Sequence, residues 1–344
     1  MNFQSLSDYL QKRGEPSFRV RQVLESVYEG IPSFAEMTVL PRSLRECLSA
    51  EFPLLSFRVS AVQSSRDGGT YKARVDLTDG KRIETVLMQP KPGYWSVCVS
   101  SQVGCALACS FCATGLMGFL RNLTAEEIAD QVLFWKQHIR HLNLKANISN
   151  VVFMGMGEPL LNFDAVKESI RQLTDPHLFG LGHRSIAVST AGVVPGIDRF
   201  AEELKQVNLA LSLHAANNAL RTRLVPLNKA YPLEVLSQSL RRYFSHNNRK
   251  IFLEYVLLRD ENDGPEHARQ LVQFVRRTGP ASLMHVNLIV WNPTDTAHQP
   301  ASREQASRFK KFLMEQDLKV TIRKNLGQDI EGACGQLVTS AKPA

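Results

Sequence analysis

Four of the six cysteines in this 344-residue chain lie within fifteen residues, between Cys98 and Cys112. Three of them, Cys105, Cys109 and Cys112, follow a C-x3-C-x2-C spacing in a loop after a predicted strand. Three thiolates can ligate a [4Fe–4S] cluster and leave one iron open to an exogenous ligand. The spacing therefore predicts an iron–sulfur centre with one open coordination site.

Structural zinc is the alternative interpretation of the same three thiols. It is the weaker one, because no histidine lies in the adjoining loop and no second C-x2-C pair follows. His138 and His141 fall on or after the next predicted helix. An open iron suits the amino and carboxylate groups of S-adenosylmethionine (SAM), from which a reduced cluster releases a 5'-deoxyadenosyl radical.

The elements that must position these thiols alternate regularly from residue 91 to about residue 325. Short apolar runs alternate with amphipathic stretches, one of which begins with a Thr124-x-x-Glu127 capping box. This alternation predicts parallel strands joined by right-handed crossovers, with the chemistry at their carboxyl ends. The predicted strands are 95–99, 151–156, 185–189, 208–213, 252–258, 285–291 and 319–322; helices are expected over 166–173, 233–244, 266–277 and 304–315.

Six or seven such units are too few for an eight-fold barrel. We therefore expect an α/β fold with a partial, splayed (β/α)6-type barrel that could admit a macromolecule. Residues 1–90 are expected to form an accessory domain, helical over 1–52 and a β-meander over 57–88, with Lys91-Pro92-Gly93 as the boundary. The core would span 91–329, and residues 330–344 would form a tail.

Composition restricts the partners and the compartment. The net charge is +8 with a pI near 9.2, which favours a polyanionic partner but also fits an ordinary basic surface. No run of apolar residues is long enough for a membrane span, and the first residues lack a secretory pattern. We therefore expect a cytoplasmic protein with no membrane partner, in which clustered cysteines are ligands or catalysts.

With these residues in view, the chain resembles the RlmN/Cfr family of radical SAM RNA adenosine methyltransferases. The likeness runs from about residue 15 to residue 337 through ordered motifs: SSQVGC (100–105), CATG (112–115), RNLT (121–124), MGMGEPLLN (154–162), STAG (189–192), LSLH (211–214), WNP (291–293) and ACGQL (333–337). The resemblance implies a radical SAM barrel with a small N-terminal domain of helices and a meander.

The resemblance also implies the binding site. Cys105, Cys109 and Cys112 would ligate the cluster, and the carboxylate of Glu158 would accept hydrogen bonds from the SAM amino group. Taken alone, His214 and Ser212 would be ordinary polar loop residues. The residues implied to bind SAM are Gly157, Glu158, Ser189, Ser212, Leu213, His214 and Asn292.

Cys98, Cys334 and Glu84 are implied to be catalytic. The amidine carbons C2 and C8 of adenine are electrophilic, so neither can displace a methyl group from a sulfonium. In the implied reaction, the Cys334 thiolate takes a methyl from one SAM, and a radical from a second SAM abstracts hydrogen from it. The methylene radical adds to adenine; after the adduct loses an electron, Cys98 helps to resolve it and ends as a disulfide with Cys334, and Glu84 accepts the proton. Without the resemblance, Cys98 and Cys334 would be inert buried thiols and Glu84 an exposed strand carboxylate.

The implied substrate is an adenosine in the peptidyl-transferase region of 23S rRNA, with an adenosine of the tRNA anticodon loop as a further candidate. Residues 157–162 resemble RlmN, which methylates C2, whereas 19–23, 175–179 and the short tail resemble Cfr, which methylates C8. We favour an RNA (adenine-C2)-methyltransferase that acts as a monomer and receives electrons from a donor such as flavodoxin or ferredoxin. The basic N-terminal helices and the meander would bind the RNA, although they could also be a plain cap on the barrel.

Two other functions remain open at this point. One is a radical SAM enzyme that acts on a protein or a small molecule, such as a glycyl-radical activase, which needs no Cys98–Cys334 pair. The other is an iron–sulfur or zinc RNA-binding module, which would produce no 5'-deoxyadenosine.

Overall fold

The computed structural model describes residues 3–144 and 146–338. Ten of its twelve strands form one sheet, in the order β1-β2-β3-β4-β7-β8-β9-β10-β11-β12, and β5 and β6 form a separate hairpin. The strands are β1 Phe57–Ser64, β2 Thr70–Leu77, β3 Arg82–Lys91, β4 Tyr94–Cys98, β5 Gln102–Gly104, β6 Phe119–Asn122, β7 Ile148–Phe153, β8 Ile186–Thr190, β9 Asn208–Ser212, β10 Ile251–Leu257, β11 Met284–Val290 and β12 Lys319–Ile322.

Seven strands, β4 and β7 to β12, run parallel in sequence order, and most of the longer helices connect them. All seven were predicted from their apolar runs. The helices of the described ranges are α1 Phe3–Lys12, α2 Phe18–Tyr28, α3 Arg42–Glu51, α4 Ala113–Leu116, α5 Ala125–His141, α6 Phe163–Thr174, α7 Val194–Glu203, α8 Asn218–Leu224, α9 Leu233–His246, α10 Pro265–Thr278 and α11 Arg303–Glu315.

The predicted partial barrel is confirmed, since β1 and β12 remain as the two edges of the main sheet. Strands β1 to β3 form the expected antiparallel meander. The sheet, however, continues through the expected domain boundary, because β3 pairs with β4. Lys91 pairs with Tyr94, and Gly93 has a φ of 79°, so Pro92 and Gly93 form a hairpin turn rather than a linker.

Helix α5 joins the two parts of the molecule. Its Leu133 packs into the apolar cluster of α1 to α3, whereas its Trp135 packs into the main core. The indole of Trp135 donates to Thr85 Oγ1 (3.1 Å), and that hydroxyl donates to the carbonyl oxygen of Cys98 (2.8 Å). These two hydrogen bonds therefore tie the end of β4, where Cys98 lies, to α5.

No helix in these ranges is both long and apolar enough to cross a bilayer.

Candidate active site

A cavity opens at the carboxyl ends of β7 to β11, and we call it the central cavity. Its walls hold the three cysteines of the C-x3-C-x2-C motif and six of the seven residues predicted to bind SAM, which are Gly157, Glu158, Ser189, Ser212, His214 and Asn292. Leu213 is the exception. It is fully buried, and only its backbone contributes, through hydrogen bonds with Glu254 and Arg221.

The cysteine loop, residues 105–112, is fixed by backbone hydrogen bonds. Cys105 N donates to Gly118 O (2.9 Å), and Ser110 N donates to Leu224 O of α8 (3.1 Å). Gly104 directly precedes the loop with a φ of 74°, and a Cβ there would collide with Gly118 O. Glycine is therefore required for the close approach of β5 and β6 that places Cys105.

The donor set of this loop fits an iron–sulfur cluster. Burial raises the pKa of Cys105 to about 12 and raises the pKa values of Cys109 and Cys112 above the usual thiol value. Iron cations supply the positive charge that three buried thiolates need. In the described part of the chain, no three His, Cys, Asp or Glu side chains stand close enough to share one metal ion.

Glu158 faces the central cavity just beyond β7. Gly157 before it has a φ of 96°, and a Cβ there would lie 2.5 Å from the Cβ of Gln102, so this turn also needs glycine. The Glu158 carboxylate accepts from Ala191 N (2.8 Å) and Leu160 N (3.1 Å), which fixes its orientation. Burial raises its pKa to about 7, while the hydrogen bond from Ala191 opposes that shift. A cationic amino group at this position would stabilise the carboxylate.

The polar groups at the ends of β8 and β9 lie side by side. Ser189 Oγ and Ser212 Oγ are 3.2 Å apart. His214 adopts a φ of 58°, and its Nδ1 accepts from Val256 N (3.1 Å). Burial lowers the pKa of His214 to about 3, so the ring is neutral and carries its proton on Nε2. Its ring contacts Phe111 of the cysteine loop edge to face.

Cys98 and Cys334 both line a second cavity, the side cavity, and Cys334 also lines the central cavity. Cys98 is buried, whereas Cys334 is exposed and faces both cavities. The disulfide expected between them is not present, because both are free thiols. The resemblance places that disulfide after turnover, and only a reduced Cys334 can accept a methyl group.

An arginine–glutamate pair, which sequence reasoning missed, lies between the two cavities. Arg323 follows β12 and lines both cavities, and its Nη1 is 3.2 Å from Glu254 Oε2 on β10. Burial raises the pKa of Cys98 to about 12. The protein walls around the two cavities desolvate the Cys334 thiol and raise its pKa although part of the residue is exposed, and the Arg323 cation opposes both shifts. A signal was present, since Glu254 interrupts an otherwise apolar buried strand.

The segment that carries Cys334 is held mainly by polar contacts. Asn292 Nδ2, predicted to bind SAM, donates to Cys334 O (3.0 Å). Thr114 Oγ1 donates to Leu337 O (2.6 Å), and Ala113 N donates to Gly335 O (2.8 Å). The residue after Cys112 therefore contacts the residue after Cys334, which brings the cysteine loop and the tail together.

Glu84 is buried rather than exposed, and it too contacts the tail. Its Oε1 is 3.2 Å from Lys72 Nζ, and its Oε2 accepts from Val338 N (3.1 Å). Burial raises its pKa, and the Lys72 cation opposes that shift. Glu84, Lys72 and Arg74 line a third, wider opening between the meander, α4 and the tail, which we call the vestibule.

Comparison with known protein families finds two matches. Residues 99–274 match the radical SAM superfamily, and residues 1–53 match the N-terminal domain of ribosomal RNA large subunit methyltransferases.

Individual proteins resemble nearly the whole chain. A probable dual-specificity RNA methyltransferase RlmN of Chloroflexus aurantiacus is 42% identical over 98% of this chain and 91% of its own length. A ribosomal RNA large subunit methyltransferase Cfr of Clostridium botulinum is 40% identical over 94% of this chain and 92% of its own. The crystal structure of a radical SAM methyltransferase from Sphaerobacter thermophilus superposes with a TM-score of 0.90 at 42% identity, covering 98% of this chain and 97% of that one.

Proposed function

Because this chain belongs to the RlmN/Cfr family of radical SAM RNA methyltransferases, we propose that it methylates C2 of an adenosine in the peptidyl-transferase region of 23S rRNA. An adenosine of the tRNA anticodon loop is the proposed second substrate, supported by the dual specificity that its relative's name states. We place this activity in the cytoplasm, where ribosomal RNA is found. The observation that carries the proposal is that Cys334 lines the same cavity as Cys105, Cys109 and Cys112.

As a radical SAM enzyme, the protein uses a [4Fe–4S] cluster and SAM. Together these cofactors supply a methyl group and a 5'-deoxyadenosyl radical. Cys105, Cys109 and Cys112 would hold the cluster, and Glu158 would hold the SAM amino group. The neutral ring of His214 and the hydroxyls of Ser189 and Ser212 would offer hydrogen bonds to the rest of SAM.

Three residues of the chain would handle the methyl group and the proton. The sulfur of Cys334 would act as the nucleophile that accepts the methyl group, and it is the exposed thiol of the pair. The thiol of Cys98, on the adjoining wall, would resolve the covalent adduct between Cys334 and the adenine. Glu84 would accept the proton lost from the adenine, since it faces the vestibule through which the base would enter.

The RNA would approach from the vestibule side. Lys72 and Arg74 lie on the meander face that lines this opening, and α2 and α3 carry exposed arginines. A base held in single-stranded or loop RNA can leave its stack and enter a pocket, whereas a paired base must first be extruded.

Methylation at C8 is the second candidate. By resemblance, residues 157–162 favour C2, whereas residues 19–23 and 175–179 favour the Cfr branch. The distinction has a direct chemical readout, because 2-methyladenosine and 8-methyladenosine separate chromatographically.

The test uses anaerobically reconstituted protein, SAM, a reductant and unmodified 23S rRNA. We expect nuclease digestion and mass spectrometry to show 2-methyladenosine, and methylation to be lost in Cys334→Ala with its iron content unchanged. Cys47→Ala, in α3 away from the cavities, is the matched control and should stay active. Detection of 8-methyladenosine would replace the C2 proposal, and full activity of Cys334→Ala would overturn the mechanism.

A further inference from the structure

Arg221, on α8, is a cation buried without a carboxylate partner. None of its surface is exposed, and in the described residues it forms no ion pair. Its guanidinium donates instead to neutral oxygens: Ala191 O (2.6 Å), Asn228 Oδ1 (3.0 Å) and Leu213 O (3.2 Å). These bonds satisfy its hydrogens but leave its charge unbalanced.

Such a charge is costly in a protein interior. Burial lowers the pKa of Arg221 to about 10, so the side chain is still a cation at neutral pH. Arginines buried to this degree normally pair with an anion, because hydrogen bonds to carbonyl groups replace only part of the lost hydration. An anion is therefore expected close to this side chain in the working enzyme.

The neighbouring element is the cysteine loop. The carbonyl oxygen of Leu224, on α8, accepts a hydrogen bond from Ser110 N. Leu220 and Leu224 also pack in one apolar cluster with Leu107, and Cys105 and Cys109 lie against this cluster. Cys109 lies close enough to Arg221 for the two groups to interact electrostatically. The cation thus lies behind the wall that carries the thiols and does not itself line the central cavity.

Glu158 is a second anion linked to Arg221, through the backbone of Ala191. Arg221 donates to the carbonyl of Ala191, and the N–H of the same residue donates to Glu158. The backbone of Ala191 therefore bridges the side chains of Arg221 and Glu158. Glu158, however, faces the cavity, where the cationic amino group of SAM would use its charge.

We propose that Arg221 is the internal counter-cation of the iron–sulfur cluster and makes the cluster easier to reduce. This inference rests on the proposed cluster site. A cluster with three thiolates carries net negative charge, and one electron from the donor protein makes it more negative. A fixed cation in a poorly solvated position stabilises the reduced form more than the oxidised form. Arg221 therefore acts on the cluster through its charge and does not touch the substrate.

The test compares Arg221→Met, Arg221→Lys and a control, Arg249→Met. Arg249 precedes β10 and donates to Asn208 Oδ1 at the amino end of β9, so its loss removes a cation from the end of the sheet opposite the proposed cluster. Each reconstituted protein is analysed for iron and then titrated with reductant, with the reduced cluster measured by electron paramagnetic resonance.

We expect Arg221→Met to hold at least tenfold less reduced cluster relative to oxidised cluster at a fixed potential, equivalent to ~59 mV for one electron. Arg221→Lys should fall between Arg221→Met and the wild type, and Arg249→Met should match the wild type. An unchanged midpoint potential in Arg221→Met with full iron would overturn the inference and would leave the proposed function intact. A wild-type protein that binds no cluster would instead overturn the proposed function.

A second measurement separates charge balance from general stability. Thermal unfolding is compared for each protein with and without its cluster. If the cluster balances Arg221, loading should stabilise the wild type more than Arg221→Met. Equal stabilisation of both proteins by loading would show that Arg221 serves only packing, and it would contradict the inference even if Arg221→Met folds poorly.

Discussion

The individual residues of the active site owe their ionisation to burial more than to ion pairs. His214 is held neutral, the thiols of Cys98 and Cys334 are held protonated, and the carboxyl of Glu84 is held closer to protonation than an exposed glutamate. In each case burial opposes the charged form. Arg323 and Lys72 oppose this effect at the thiols and at Glu84 respectively. We therefore expect these two cations to favour the ionised forms of the thiols and of Glu84.

The first prediction concerns the pH dependence that Glu84 imposes. A proton acceptor must be ionised, and burial raises the pKa of Glu84, so activity should fall on acidification at a higher pH than for an exposed glutamate. Lys72→Met removes the cation that opposes this shift and should move the loss to still higher pH. Lys72 and Glu331 are the charged groups that act on the pKa of Glu84. Arg74 is the residue opposite Glu84 in the register of β2 and β3.

The measurement is the rate of methylated product at a series of pH values, with methylation of Cys334 followed separately by peptide mass. Glu84→Gln should lose the acidic limb together with most of its turnover, while its Cys334 is still methylated. An unchanged acidic limb in Glu84→Gln would assign the titration to another group.

The second prediction concerns Arg323. Its cation lowers the pKa of Cys334 against the effect of burial, so Arg323→Met should reduce the thiolate fraction and slow methylation of Cys334. Each unit of pKa change corresponds to about a tenfold change in thiolate at neutral pH. Peptide mass spectrometry after single-turnover mixing with SAM measures this rate. Arg276→Met, on α10, is the control, and an Arg323→Met rate equal to the control would exclude the charge effect.

At the scale of elements, the sequence predicts the strands and loops whose formation depends on residues close together in the chain. The apolar runs located all ten strands of the main sheet, and the cysteine spacing located the loop that faces the central cavity. Arg323, Glu254 and Arg221 were not predicted, because their importance depends on which strand ends meet across the barrel. The short helix α8, which carries Arg221, has too few turns to show a clear apolar period.

The third prediction tests the capping box of α5. Thr124 Oγ1 accepts from Glu127 N, and Glu127 Oε2 accepts from Thr124 N, as the sequence pattern indicated. Thr124→Ala should lower the free energy of unfolding by about 1 kcal/mol, because an N-terminal N–H loses its acceptor. Chemical denaturation measures the change. Ser307→Ala, on the exposed face of α11, should change it much less, and equal effects would contradict the capping role.

At the scale of the whole molecule, one face of the continuous sheet extends from the barrel to the meander. Arg74 is opposite Glu84 in register, and Val86 is opposite Cys98, so the vestibule and Cys98 lie along adjacent strands of the same sheet. Tail residues line both openings: Gln336 and Val338 line the vestibule, and Cys334 and Leu337 line the central cavity. In the proposed reaction, a base that enters from the vestibule would therefore pass along the tail.

The fourth prediction concerns RNA binding. Arg21→Glu with Arg42→Glu, on exposed faces of α2 and α3, should weaken RNA binding without changing methylation of Cys334. Loss of each phosphate contact in a single-stranded region should reduce the slope of log affinity against log salt by about 0.7. Fluorescence anisotropy at several salt concentrations measures both effects. Lys310→Glu with Lys311→Glu on α11 is the control, and equal weakening there would show that net charge alone matters.

The hairpin at Pro92 and Gly93 has a mechanical consequence. Because β3 and β4 share backbone hydrogen bonds across that turn, the meander, which is part of the surface proposed to receive RNA, and the barrel form one continuous body rather than two modules on a hinge. Such a body has little freedom to close around its substrate. The change of shape on binding must therefore come from the RNA. RNAs that already present an unstacked adenosine at a flexible bend should be modified before those that hold it in a stable helix.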